Sequence, residues 1–273
     1  MAPQSRRLRK AEHRQEYEMA VITHRISDHI FGIKIDRPDA RNAVNGAVAA
    51  GMEAAIDEFE ADATAWVAIL SGNGTNFSAG ADLKEIAAGN AAALRTERGG
   101  FAGIVARERT KPIIAAVHGS ALAGGCEIAL ACDLIVASRG AKFGLPEVKR
   151  SLVAAAGGLF RLPHVLPRNL ATEVILTGDP ISAERAHEFG MVNVLCDESE
   201  LEEAAVVLAM RIASNAPLAV REALAISKQA FAASEGDLFA QSGDAMARLA
   251  LTEDFKEGPR AFIEKRDPRW QGR

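Results

Sequence analysis

Ile113-Ile114-Ala115-Ala116-Val117-His118-Gly119-Ser120-Ala121-Leu122-Ala123-Gly124-Gly125-Cys126-Glu127 holds the plan of this 273-residue chain. Pro112 stops whatever precedes it, and five apolar residues without alternation predict a strand buried on both faces. Glycines then lead into a helix read over Gly124 to Cys132. The first amides of such a helix have no intrahelical partners and sit at the positive end of its dipole. A terminus of that kind stabilises an anion.

Working outward, the same plan recurs. Trp66 to Leu70 is a second continuous apolar strand. The Gly/Asn/Ser-rich loop Ser71 to Gly80 follows, then a short helix around Asp82 to Ala88 that Asp82 can cap. Small residues in Ser78-Ala79-Gly80-Ala81 permit close approach by a ligand. Val21–Ile26 and Ile30–Ile35 alternate at period two around Ser27-Asp28 and predict a hairpin. A helix fits Val48 to Glu60, another is expected between Ala91 and Glu108, and Leu134 to Ala137 is a strand. Strand and helix repeating about every 45 residues indicate α/β layers with mainly parallel pairing. After Pro163 the chain turns helical over 167–176, 182–189, 199–214, 217–233 and 236–251, with a last short helix, Arg260 to Lys265, behind Gly258-Pro259. These patterns divide the chain into a flexible basic tail (1–18), a core (19–210) and a helical module (211–273).

Composition narrows the function classes. Hydrophobic residues make up 48% and charged residues 25%, and mean hydropathy is near zero, as in an ordinary folded domain. A net charge of −4 with 5% aromatics offers neither the cationic surplus nor the stacking rings of a nucleic-acid binder. No run of about 20 apolar residues suggests a membrane span. Cys126, Cys132 and Cys196 have no metal-ligand spacing and read as reduced thiols, hence a cytoplasmic location. The first 18 residues mix Arg6, Arg7, Arg9, Lys10 and Arg14 with Glu12, Glu16 and Glu18 and lack the apolar core of a secretory signal.

Familiar motifs fail on single residues. Phe77 stands where the third glycine of G-x-G-x-x-G belongs, Asn76 spoils a nucleophile elbow at Ser78, and Met191 spoils an H-E-x-x-H beginning at His187. His118 reads as a satisfied histidine at a strand end. Two loops that aim amides at one point could form an oxyanion hole. Glu127, in the first turn of an apolar helix, is either an acid/base group or a carboxylate stabilised by the helix dipole. Glu147, after Phe143-Gly144-Leu145-Pro146, is either its partner or a solvated loop residue.

Ser78–Glu85, Gly119–Ile128 and Phe143–Lys149, at these separations, resemble the enoyl-CoA hydratase/isomerase (crotonase) family. So do Arg37-Pro38-Asp39-Ala40-Arg41-Asn42-Ala43, Ala156-Gly157-Gly158 with Arg161-Leu162-Pro163, and Phe262-Ile263-Glu264-Lys265-Arg266. The resemblance covers about residues 20–270. It implies an α/β fold, a spiral of ββα units with a C-terminal helical region that mediates trimers, often paired into hexamers. It also implies an acyl-CoA thioester substrate in fatty acid metabolism, with coenzyme A as part of the substrate and no metal or other cofactor. By motif, Ala81 and Gly124 supply the oxyanion-hole amides, and Glu127 and Glu147 the acid/base pair of an enoyl-CoA hydratase. Arg41, Ala43, Ala79, Asp82, Leu83, Ala123 and Pro146 contact CoA and its pantetheine arm. Phe262 and Lys265 approach the adenine and phosphate end, often from a neighbouring subunit.

Departures from the family pattern bear on the substrate. Ser151-Leu152-Val153-Ala154-Ala155-Ala156-Gly157-Gly158-Leu159 replaces G-x-x-P-G-A-G-G-T, so the loop near the acyl end is reshaped and more apolar. Asp39 stands where a basic residue is common, which weakens a CoA phosphate contact. Leu145-Pro146-Glu147-x-Lys149 resembles the carnitinyl-CoA dehydratase branch. Other readings are Δ3–Δ2 enoyl-CoA isomerisation and a non-catalytic acyl-CoA-binding subunit.

Overall fold

The computed structural model describes residues 20–273, so the tail read over 1–18 lies outside the described residues. The predicted hairpin forms from β1 (Val21–Ser27) and β2 (Ile30–Ile35), paired antiparallel. Helix α1 (Gly46–Ala61) starts where Asn45 accepts the Val48 amide, and β3 (Val67–Gly72) returns parallel to β2. Asp82 caps the short α2 (Leu83–Ala87) by accepting the Lys84 amide at 3.1 Å, as its side chain suggested.

The helix expected between Ala91 and Glu108 does not exist. A 3₁₀ turn (Ala91–Leu94) runs into a two-residue hairpin, β4 (Arg95–Thr96) and β5 (Gly100–Phe101). Gly100, Ala102 and Gly103 all have positive φ, which ends any helix. A Cβ on Gly103 would sit 2.3 Å from the Ala49 carbonyl oxygen, so this segment is pressed onto α1.

Next come β6 (Ile113–Val117), β7 (Ser120–Leu122), α3 (Gly124–Ala131), β8 (Leu134–Ser138) and β9 (Lys142–Gly144). Helices α4 (Gly158–Val165) and α5 (Arg168–Thr177) precede β10 (Ile181–Ser182), α6 (Ala183–Glu188) and β11 (Val194–Cys196). Helical structure thus begins at Gly158, with Pro163 inside α4, rather than after Pro163. The chain ends in α7 (Leu201–Ala213), α8 (Pro217–Ser227), α9 (Glu235–Leu249) and α10 (Glu253–Glu264). Helix α8 stops at Ser227, short of the expected 233, and the chain continues in turns from Lys228, whose side chain pairs with Asp133 at 3.0 Å. The last helix opens at Thr252, not at Gly258-Pro259, because Thr252 caps it by accepting the Phe255 amide.

Six strands form the large sheet in the order β1-β2-β3-β6-β8-β11, all parallel beyond the first pair. Its strands read as unbroken apolar runs because both faces are covered. Ala68, Leu70, Ile113, Ala115 and Val117 face Val48, Met52, Ile56 and Phe59 of α1. The alternate residues Val67, Ile69, Ile114 and Ala116 face Leu201, Ala205 and Ala209 of α7. Helix α7 lies on the sheet across residue 210, and the helices beyond it begin at Pro217. The short strands β7, β9 and β10 form a second sheet, which Ser78 extends through a bridge to Ala121. Each turn of chain therefore leaves a strand in the large sheet, a short one in the small sheet, and a helix. Among the described residues no single helix is long and apolar enough to cross a membrane.

Buried charge holds the layers in place. Lys111 is 1% exposed and donates to the carbonyls of Phe59 and Asp62 at 2.6 and 2.7 Å, closing the C-terminal end of α1. Asp133 is held by Arg109 and accepts from the Ile113 amide at 2.8 Å. Lys111→Met strands two buried carbonyls and removes charge-assisted bonds. Urea unfolding is expected to show a loss of about 2–3 kcal/mol.

Candidate active site

Two loops meet at the mouth of α3. Asn42, fully buried, donates to the carbonyls of Asn73 and Asn76 at 2.8 and 2.7 Å and accepts from the Arg37 amide. That fixes the base of the 73–81 loop. Ser78 then donates its hydroxyl to the Asn42 carbonyl, and its own carbonyl takes the Leu122 amide at 3.1 Å. The chain at 78–81 is thereby stitched between residue 44 and β7. A Cβ on Gly125 would fall 2.1 Å from the Ser78 carbonyl oxygen, and one on Gly80 would fall 2.7 Å from the Gly124 nitrogen. Contact this close between two backbones requires glycine on both sides.

The consequence is a pair of open donors. Val44 takes the Gly80 carbonyl and Asp82 donates to Val44, so the Ala81 amide between them is left over. Ala123 precedes α3 at φ 51°, ψ −127°, with its own amide on the Gly144 carbonyl, and this turn directs the Gly124 amide away from the helix. Holding a non-glycine residue there costs about 1–3 kcal/mol, strain of the kind found at functional sites. Among the described residues neither the Ala81 nor the Gly124 amide donates to a protein acceptor.

Both amides open onto a cavity of about 860 Å³, which Glu127 and Glu147 also line. The residues assigned to CoA contact, Arg41, Ala43, Ala79, Asp82, Leu83, Ala123 and Pro146, line it as well. Phe262 and Lys265 do not: Phe262 is 85% exposed on α10 and Lys265 ends that helix.

The two carboxyls sit in different surroundings. Glu127 is 3% exposed, and its Oε1 accepts the Ala156 and Gly158 amides at 2.7 and 2.9 Å. Among the described residues its Oε2 makes no hydrogen bond, and the residue lines the cavity. Burial raises its pKa, with the two amides and Arg161 pulling partly back. Glu147 lies in a 3₁₀ turn (Pro146–Arg150) with a buried, unpartnered Oε2. Burial first and the Glu127 charge second push it up to about 7, against the pull of Arg150. Burial and the nearby Glu127 charge both favour the protonated form of Glu147. Glu147 is thus not a solvated loop residue, and Glu127 does more than complement a helix dipole.

Several functional side chains escaped sequence reasoning. Phe101 packs its ring against Gly124, where a Cβ would meet Cε1 at 2.4 Å, and roofs the cavity from the hairpin misread as helix. The glycines at 99, 100 and 103 were the available signal. Arg161 donates to the carbonyls of Val105 and Ala156 at 2.6 and 3.3 Å, steadying the loop that clamps Glu127. Arg37 ties the Ala43 carbonyl to Asp82 at 2.6 and 3.1 Å. His118 is satisfied by the Gly74 carbonyl at 2.8 Å, as expected. Cys126 is fully buried with its thiol pushed far up, so it is no nucleophile.

A sequence profile of the enoyl-CoA hydratase/isomerase family matches residues 25–273. The chain belongs to the enoyl-CoA hydratase/isomerase family. It has the crotonase fold. A carnitinyl-CoA dehydratase of Salmonella heidelberg is 42% identical over 254 residues, 89% of this chain and 95% of that protein. The crystal structure of an enoyl-CoA hydratase from Mycobacterium tuberculosis is 47% identical, with a TM-score of 0.89 over 93% of this chain and 99% of that one. A carnitinyl-CoA hydratase from Mycobacterium avium is 44% identical, with a TM-score of 0.71 over 93% of this chain and 99% of that one.

The raised pKa of Glu147 makes stability depend on pH. Between its ordinary 4.5 and about 7 the folded state binds more protons than the unfolded one, so stability falls as pH rises through that window. Glu147→Gln removes the penalty. The Tm of the variant relative to the parent is expected to rise from pH 5 to pH 8 in thermal melts at fixed salt.

Proposed function

We propose that this protein catalyses the reversible addition of water across the C2=C3 bond of a 2-enoyl-CoA thioester. One observation carries this reading: the unpaired Ala81 and Gly124 amides open onto the same cavity as Glu127 and Glu147. As water adds at C3, negative charge moves onto the thioester oxygen, where two preorganised N–H groups meet it. One such donor is worth about 3 kcal/mol of barrier. Glu127, with Oε1 clamped and Oε2 unbonded, binds and activates the water. Glu147, poised near neutrality by burial, exchanges the proton at C2. No metal or redox group enters this scheme, and coenzyme A is carried by the substrate.

The names of the relatives are compatible with either direction of this reaction. Retention of two carboxyls favours hydration over Δ3–Δ2 isomerisation, for which one suffices. We further propose a homotrimer or a pair of trimers. Phe231, Phe239, Leu251, Phe262 and Ile263 are exposed on the C-terminal helices and their connections, which supports an interface between copies. Phe262 and Lys265 would then reach the CoA of a neighbouring subunit.

Loss of the conjugated enoyl absorbance of crotonyl-CoA on adding enzyme, with 3-hydroxybutyryl-CoA as product, is the expected result. Glu127→Gln and Glu147→Gln are each expected to cut kcat by about 10²–10⁴-fold with the circular dichroism spectrum intact. Parent-like rates in both variants would remove the assignment. Binding without turnover of 2-enoyl or 3-enoyl esters would favour a non-catalytic subunit. Gly125→Ala, which pushes a methyl onto the Ser78 carbonyl, is expected to lower kcat more than it raises KM, because it parts the two amides.

A further inference from the structure

Two cavity-lining arginines, Arg95 and Arg150, have no acidic partner among the described residues. The other guanidiniums on these walls differ. Arg37 is paired with Asp82, Arg161 donates to two backbone carbonyls, and Arg41, also without an acidic partner among the described residues, stands in the segment assigned to CoA.

Their positions follow from local geometry. Arg95 is directly opposite Phe101 in the β4–β5 hairpin, so the two side chains leave on the same face. Phe101 packs on Gly124, and Arg95, itself exposed, leaves the hairpin on the side of that ring. Arg150 follows Glu147 by three residues in a 3₁₀ turn, where such positions eclipse one another. Its charge is felt at the Glu147 carboxyl. One arginine therefore belongs to the hairpin that roofs the cavity and the other to the turn that carries Glu147. Leu152, Val153 and Phe160 continue the wall as apolar surface.

Both side chains are exposed and line one cavity, so an anionic group of a ligand there would gain two charge-assisted hydrogen bonds. The phosphates of CoA are separated from the thioester by the pantetheine arm and lie at the other end. From this juxtaposition we infer that the acyl group carries a carboxylate a few bonds beyond C3, recognised by Arg95 and Arg150. The inference rests on the acyl-CoA reading above and makes it specific. The substrate is a carboxylated 2-enoyl thioester, and an acyl group with a quaternary ammonium would meet two charges of its own sign.

Saturated esters test recognition separately from turnover. Calorimetric titration of the full chain with glutaryl-CoA, butyryl-CoA and 4-(trimethylammonio)butyryl-CoA is expected to show glutaryl-CoA bound about tenfold or more tightly than butyryl-CoA, and the cationic ester weakest. Arg95→Met and Arg150→Met are each expected to lower the glutaryl-to-butyryl ratio by about fivefold, with Arg→Lys recovering part of it. Butyryl-CoA affinity is the internal reference for folding, and the parent ratio decides alone if a variant misfolds. A parent ratio near one, preference for the cationic ester, or equal weakening of all three esters in both variants would overturn the inference. A parent that prefers glutaryl-CoA yet hydrates no enoyl ester would remove hydration and leave the carboxylate preference standing. One that hydrates crotonyl-CoA with no such preference would do the reverse.

Discussion

Backbone contact between Gly80 and Gly124 is the constraint on which the site depends. Where those residues touch, no side chain fits, and the neighbouring amides are left without partners inside the protein. The surrounding scaffold makes that contact stable. Asn42 and Ser78 hold one loop by hydrogen bonds to backbone, and the β7–β9 sheet holds the other through the Ala123 amide. An unpaired amide is costly in a protein interior, and these are tolerated because they face a cavity rather than packed side chains. The open donors and the strained Ala123 turn are thus one feature seen from two sides.

The same architecture separates the acidities of two chemically identical side chains. Glu127 projects from the buried start of α3 and is met by the Ala156–Gly158 amides, so part of its desolvation is offset. Glu147 has no partner for Oε2, and its burial outweighs the pull of its own backbone amide and of Arg150. Arg161 supports the difference at one remove by fixing the loop that supplies those amides.

The large sheet makes this arrangement possible. Covered by α1 on one face and α7 on the other, it is a rigid floor from which β3 and β6 deliver their following loops side by side. Buried pairs such as Arg109–Asp133, joined by Lys228 after α8, tie the helical C-terminal region to that floor.

Long strands and helices were legible in the chain because each buries a continuous apolar face, as Ile113–Val117 and Val48–Phe59 do. The two amide-presenting loops and both glutamates were singled out through the family resemblance, because a glycine-rich strand-to-helix turn and a carboxylate in the first turn of an apolar helix each leave a purely structural reading open. The two- and three-residue strands β4, β5, β7, β9 and β10 were not, because pairing energy from a distant segment creates them, not local periodicity. The roof built by Arg95 and Phe101 was lost for the same reason. Local propensity over Ala91–Glu108 favours helix, and contact of Gly103 with α1 overrides it. Residue identity alone thus determined which groups could do the chemistry. Only the tertiary structure decided their charge states and neighbours, because desolvation and Coulomb interactions depend on distance in space rather than on separation along the chain.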